Sequence, residues 1–259
     1  IRFFFLKTIL IWRPRPESNW DTRICNPLRN HSATMPSHLN LKQIESLLYI
    51  KYIKMCINAN ASISTFIFSI ISCFILIYFG NKKYQKENLI TGIVFIYVAF
   101  MQIFEYFMWI DLDNKKGYNE ISTILASFFN YTQPTIVYLT EGFIIAKHNI
   151  FVTFINFIYF IYFLIRYKKF IDDGDLITHV KHKHLSWKWV NYFNFIPYAF
   201  VLIVNIFAFL NIKYAFLLFF TISSLLLLSY LNFKEHLGTL WCFFVAYLPI
   251  LLCISTYFL

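Results

Sequence analysis

From residue 62 to residue 258 the chain is a series of seven long apolar runs separated by polar breaks, and no other feature restricts its fold as much. The runs are 62–79, 89–110, 121–146, 150–165, 192–210, 214–231 and 237–258. A helix needs about 20 mainly apolar residues to cross a bilayer. In lipid the backbone must satisfy its own hydrogen bonds, so such runs must be helices. Barrel strands would be shorter and alternate in polarity, and no such alternation occurs. Composition agrees: 59% of residues are hydrophobic and 14% charged, against roughly 45–50% and about 25% in soluble domains. The expectation is an all-α, polytopic transmembrane bundle of about seven spans over residues 55–259. The fourth run is short for a span, and a re-entrant bend at Asn211-Ile212-Lys213 would lower the count to six.

Residues 1–54 read differently. They hold nine Lys/Arg against three acidic residues, so most of the net charge of +10 lies here. Residues 13–40 show neither helical nor strand periodicity and are rich in Pro, Asn, Arg and Ser, which predicts irregular chain. The apolar part is only modestly basic and carries no nucleic-acid footprint. The five cysteines form no CxxC pair, which speaks against a disulfide framework or a zinc site. The polar breaks at 111–120, 166–189 and 232–236 carry nine Lys/Arg and the alternate set five, so the positive-inside rule places the first set in the cytoplasm, against the pull of Lys82, Lys83 and Lys86.

Ionisable or amide side chains inside a span are costly and are functional candidates by default. Gln102, Glu105 and Trp109 recur at i, i+3, i+7 on the second helix; Asn130, Gln133 and Glu141 recur at i, i+3, i+11 on the third. Antiparallel packing brings Gln102 and Asn130 to similar depth, which predicts a hydrogen bond between them, with Glu105 nearer the connecting loop and Glu141 towards the opposite face. This polar seam is the candidate transport or ligand site; the competing structural reading is that its groups only join helices. Ser62, Thr65, Ser69 and Ser72 line one face of the first helix and predict close helix packing. Pro134, Pro197 and Pro249 predict kinks.

Trp109, Trp187, Trp189 and Trp241 lie at the ends of runs and are expected to be interfacial anchors. The break at 166–189 mixes Asp172, Asp173 and Asp175 with His179, His182 and His184, but the interleaved Lys181 and Lys183 would repel a cation. A solvated loop drawn to anionic headgroups is expected there, with no metal and no cofactor. No GxSxG, P-loop or GxGxxG motif occurs, and His148 and His236 sit at span edges, so enzyme readings are poor. The expected partners are the lipid bilayer and a small ligand or ion.

Two resemblances add to this. Cys56 and Asn58 with Ser62, Gly80-Asn81, Met101-Gln102 followed by Glu105-Tyr106-Phe107-Met108-Trp109, Gln133-Pro134, and Gly238 with Trp241-Cys242 resemble an uncharacterised multi-pass membrane family of large DNA viruses of protists and of some algae. MQxxEYFMW is its most specific segment. The resemblance implies a membrane protein from a virus with an AT-rich genome, in a host or virion membrane, and implies no catalytic residue. Separately, Glu17-Ser18-Asn19 and His31-Ser32-Ala33 resemble translated complements of the T-loop and D-arm boxes of a tRNA gene, at the spacing those boxes have. That resemblance implies that residues 13–36 are an antisense-tRNA translation and that the native start is Met35 or Met55.

Overall fold

A computed structural model describes residues 58–146, 149–181, 184–233 and 245–259. The stretch 1–54, Met55, His148, His182, His236 and Trp241 therefore lie outside the described residues.

The fold is an all-α bundle. Among the described residues its helices are α1 (Ala59–Phe79), α2 (Gln85–Ile110), α3 (Tyr118–Ile145), α4 (Ile150–Asp172), α5 (Phe195–Phe209), α6 (Ile212–Phe233) and α7 (Leu248–Ser255). Asparagine starts four of them. The side-chain oxygens of Asn58, Asn149, Asn194 and Asn211 accept from first-turn amides at 2.9–3.1 Å, which satisfies donors that helix geometry leaves unpaired. α3 is flanked by left-handed residues, Gly117 before it (φ 75°) and Ala146 after it (φ 55°).

The side chains are sorted as lipid requires, with polar groups inward. On α1, Ser62, Thr65, Ser69 and Ser72 are buried, whereas Ile67 and Ile71 are 52% and 53% exposed. α3 repeats the pattern: Ser122, Thr123, Ser127, Gln133 and Glu141 are buried, and Ile121, Leu125, Leu139 and Phe143 face outward. In water this arrangement would expose hydrocarbon and desolvate polar groups together. Among the described residues, four helical segments are long and apolar enough to cross a membrane: α1, α2 with its leading 3₁₀ turn, α4 and α6. The chain is a membrane protein.

α2 and α3 form the central pair. α1 packs on α2, α4 and α5 pack on α3, α6 follows α5, and α7 lies against α1, α2 and α6. At Gly92 the α1–α2 contact is so close that a Cβ would stand 2.4 Å from Ile77 Cγ1. Phe129 of α3 meets Tyr97, Phe100 and Phe104 of α2, stacking on Tyr97 with ring centroids 4.5 Å apart.

Several expectations need correction. The fourth run is no short span, because α4 continues through the charged residues after Ile165 to Asp172, 23 residues in all. The fifth run is covered by a 15-residue helix, about 22 Å long at 1.5 Å per residue, less than a hydrocarbon core of roughly 30 Å. α5 and α6 are separate helices, as the fifth and sixth runs predict, divided at Leu210 and Asn211. The seventh run is not one helix, since a turn at Ala246 and Tyr247 precedes α7. Pro197 and Pro249 sit in the first turns of α5 and α7, where a missing N–H costs no helical bond, so neither kinks a helix interior. Pro134 does lie inside α3.

The break after α4 is also more ordered than a solvated loop. It holds an antiparallel hairpin of β1 (His179–Lys181) and β2 (His184–Ser186). Thr178, at its root, is fixed to the first turns of α3. Asn119 donates to the Thr178 carbonyl at 2.9 Å and accepts from its amide at 3.0 Å, and the hydroxyls of Thr123 and Thr178 lie 2.9 Å apart.

Candidate functional site

The residues of the predicted seam fall into two groups at opposite ends of the α2–α3 pair. At one end Gln102 Nε2 donates to Glu105 Oε2 at 3.1 Å, one turn along the same helix, and both residues are buried. Gln102 makes no hydrogen bond to Asn130, contrary to expectation. Asn130 is half-buried, and the α3 residues that meet α2 at this depth are its neighbours Phe129 and Thr132. A rotation of 100° per residue separates a contacting side chain from the next one in sequence, even when depth is matched.

Near this end the expected interfacial tryptophans are interior. Trp187 and Trp189 are 7% and 0% exposed, stack with centroids 4.9 Å apart, and pack in a cluster with Met101, Phe104, Met108, Phe163 and Phe170. Their position after the hairpin turns them into the bundle instead of towards headgroups. Trp109 is half-buried, with its indole nitrogen enclosed.

The middle of the bundle is organised by Pro134. Proline gives α3 no amide donor there, so the helix backbone is weakened at this level. Neighbouring helices donate to its carbonyls. Tyr159 Oη of α4 bonds the Tyr131 carbonyl at 2.7 Å, and Asn205 Nδ2 of α5 bonds the Pro134 carbonyl at 2.8 Å. Asn205 and Asn156 also exchange a reciprocal pair of bonds at 2.7 and 3.1 Å, and Asn156 Nδ2 reaches the Val152 carbonyl at 2.9 Å. Every Nδ2 hydrogen of the two amides is thereby used. Asn156, Tyr159 and Asn205 were not among the sequence candidates. Two of them, amides inside otherwise apolar runs, carry the same signal that singled out Gln102 and Asn130.

At the other end lies Glu141. It is fully buried, and neither carboxyl oxygen has a hydrogen-bond partner among the described residues. It lines a cavity of about 60 Å³ whose other polar wall residues are Thr91, Gln133 and Tyr198. Those three are engaged in bonds of their own: Tyr198 Oη donates to Gln133 Oε1 at 2.5 Å, and Tyr214 Oη to Thr91 Oγ1 at 3.2 Å. The rest of the wall is hydrocarbon from α2, α3, α5 and α6, with Val245. On this measure one water needs about 10–15 Å³, so the cavity holds several waters or a small solute.

The structure thus joins Gln133 to Glu141 and Gln102 to Glu105, leaves Asn130 outside both groups, and adds Thr91, Tyr198 and the Asn156–Asn205 node. No family model, no curated protein and no solved structure matches the chain.

Proposed function

We propose that this is a multi-pass membrane protein without enzymatic activity of its own, in which a small solute or ion occupies the chamber beside Glu141 on its way along α2 and α3. The observation that carries this reading is a fully buried carboxyl with no partner among the described residues, on the wall of a cavity. Carboxyl groups used to fasten helices together are hydrogen-bonded, because an orphaned buried oxygen costs roughly 1–3 kcal/mol. One that is kept orphaned beside free space fits a site for a visiting partner. Gln133 with Tyr198 extends the polar wall of that chamber, and Gln102 with Glu105 forms a second polar group at the other end of the pair. The family resemblance carried by Met101 to Trp109 is compatible with this role and assigns no activity.

Solute flux into proteoliposomes tests the proposal. Wild-type protein is expected to conduct, Glu141→Gln to lose at least tenfold, and Val94→Phe, which fills the chamber and leaves the carboxyl, to lose as much. Flux unchanged in both variants, with the protein correctly folded, overturns it. Ligand binding without flux would indicate a receptor-like bundle instead, and stability loss alone a structural protein.

A further inference from the structure

Resting on that reading, we infer that the chamber beside Glu141 takes a small alkylammonium ion, a protonated primary amine of about one to three carbons, in preference to alkali-metal cations. Three features of the wall point to this class. The first is charge. Among the described residues Glu141 is the one acidic residue of the lining, and neither Lys nor Arg shares that lining. An isolated carboxylate in such a place is strongly disfavoured and takes up a proton while unpaired, so the occupant that holds it ionised is one that brings positive charge and hydrogen-bond donors together.

The second feature is the shortage of oxygen ligands. An alkali or alkaline-earth cation sheds water only where several protein oxygens replace its hydration shell. Here the two Glu141 oxygens are the acceptors without a partner, while Gln133 Oε1 and Thr91 Oγ1 already receive bonds from Tyr198 and Tyr214. An ammonium head has three donors and needs few acceptors; two go to the carboxylate and one to a retained water. Its alkyl part then lies on Val94, Val137 and Leu202, a surface that offers a bare metal ion nothing.

The third feature is size. An apolar cavity of roughly 150 Å³ admits benzene. The chamber here is about 60 Å³ and partly open, which suits a guest of a few heavy atoms better than a ring or a quaternary ammonium ion.

The test is equilibrium binding by the purified full chain in lipid nanodiscs, by calorimetry with ethylammonium chloride, and with tetramethylammonium, sodium and potassium chlorides at matched ionic strength. Saturable ethylammonium binding is expected, weakened at least tenfold in Glu141→Gln and in Leu202→Phe, with no saturable heat from the other three salts. Leu202→Phe retains the carboxyl, so its loss of binding separates occlusion from a general effect of the charge change. Each variant is checked for an unaltered unfolding transition in the absence of amine. Ethylammonium binding no stronger than sodium binding, or equal binding by Glu141→Gln, overturns the inference. Glu141-dependent flux of another solute without amine binding would overturn the ligand class and leave the functional reading standing. Amine binding without flux would do the reverse.

Discussion

Replacing Asn205 by Leu keeps the branched, four-heavy-atom shape of the side chain but removes three hydrogen bonds: the 2.8 Å bond to the Pro134 carbonyl and both halves of the pair with Asn156. Interhelical hydrogen bonds in membrane proteins average about 0.6 kcal/mol, which puts the lost bonds near 2 kcal/mol together. Asn156 stays behind, buried at 3% exposure, with its oxygen and one amide hydrogen now facing hydrocarbon. Orphaning a buried polar group costs roughly 1–3 kcal/mol, and the new leucine offsets part of that by packing. A net destabilisation of about 2–4 kcal/mol is expected. Asn156→Leu spares the bond to Pro134 but gives up the one to the Val152 carbonyl and orphans part of Asn205, so it should cost a similar amount, about 2–4 kcal/mol. The double variant removes the orphan as well, so its cost should fall short of additivity by about 1–2 kcal/mol. Unfolding free energies from steric trapping in bicelles would measure all three. Additivity within about 0.5 kcal/mol would mean that the two asparagines do not hold each other, and would refute the assignment of this node as the brace of the Pro134 break.

Two further outcomes are expected. Gly92→Val should destabilise by about 1–3 kcal/mol, because its Cβ would stand within 2.6 Å of two Ile77 side-chain carbons, and Ile77→Ala should recover much of the loss; a neutral Gly92→Val would show that α1 and α2 do not approach there. The chain has six tryptophans. In a variant keeping Trp189 alone, brominated lipid chains should barely quench the emission, as befits an indole inside the bundle; loss of half the emission would restore the interfacial-anchor reading.

The positions where sequence reading and structure part are informative. Helices α1, α2 and α3 each begin three or four residues before the apolar run that announced them. Their first turns contain polar residues such as Gln85, Lys86, Asn119 and Glu120, whose amides and carboxyls sit comfortably at a membrane boundary but lie outside a hydropathy run. α4 likewise runs on through Arg166, Lys168 and Lys169, with Lys168 and Asp172 paired at 2.9 Å on its exposed face. The stripe Ser62, Thr65, Ser69 and Ser72 was fully legible, because spacing alone fixes which residues of one helix share a face. The partner of Gln102 was not, because spacing says nothing about which face two helices turn towards each other. Phe129 decided that, by wedging among Tyr97, Phe100 and Phe104.

The sequence by itself determined the solvent. So many consecutive apolar residues can be stable only in hydrocarbon, and hydrocarbon admits runs this long and unalternating only as helices with their polar groups turned inward. It also determined that the buried carboxyl and amide groups needed explaining, since each is expensive wherever it ends up in lipid. Tertiary structure alone decided which of them are satisfied. Asn156 and Asn205 lie 49 positions apart and satisfy each other across two helices, whereas Glu141 is left facing a cavity assembled from four helices and Val245. Partner choice of that kind depends on the rotation and offset of each helix about its axis, and packing between helices sets those quantities, while the pattern along any one of them does not.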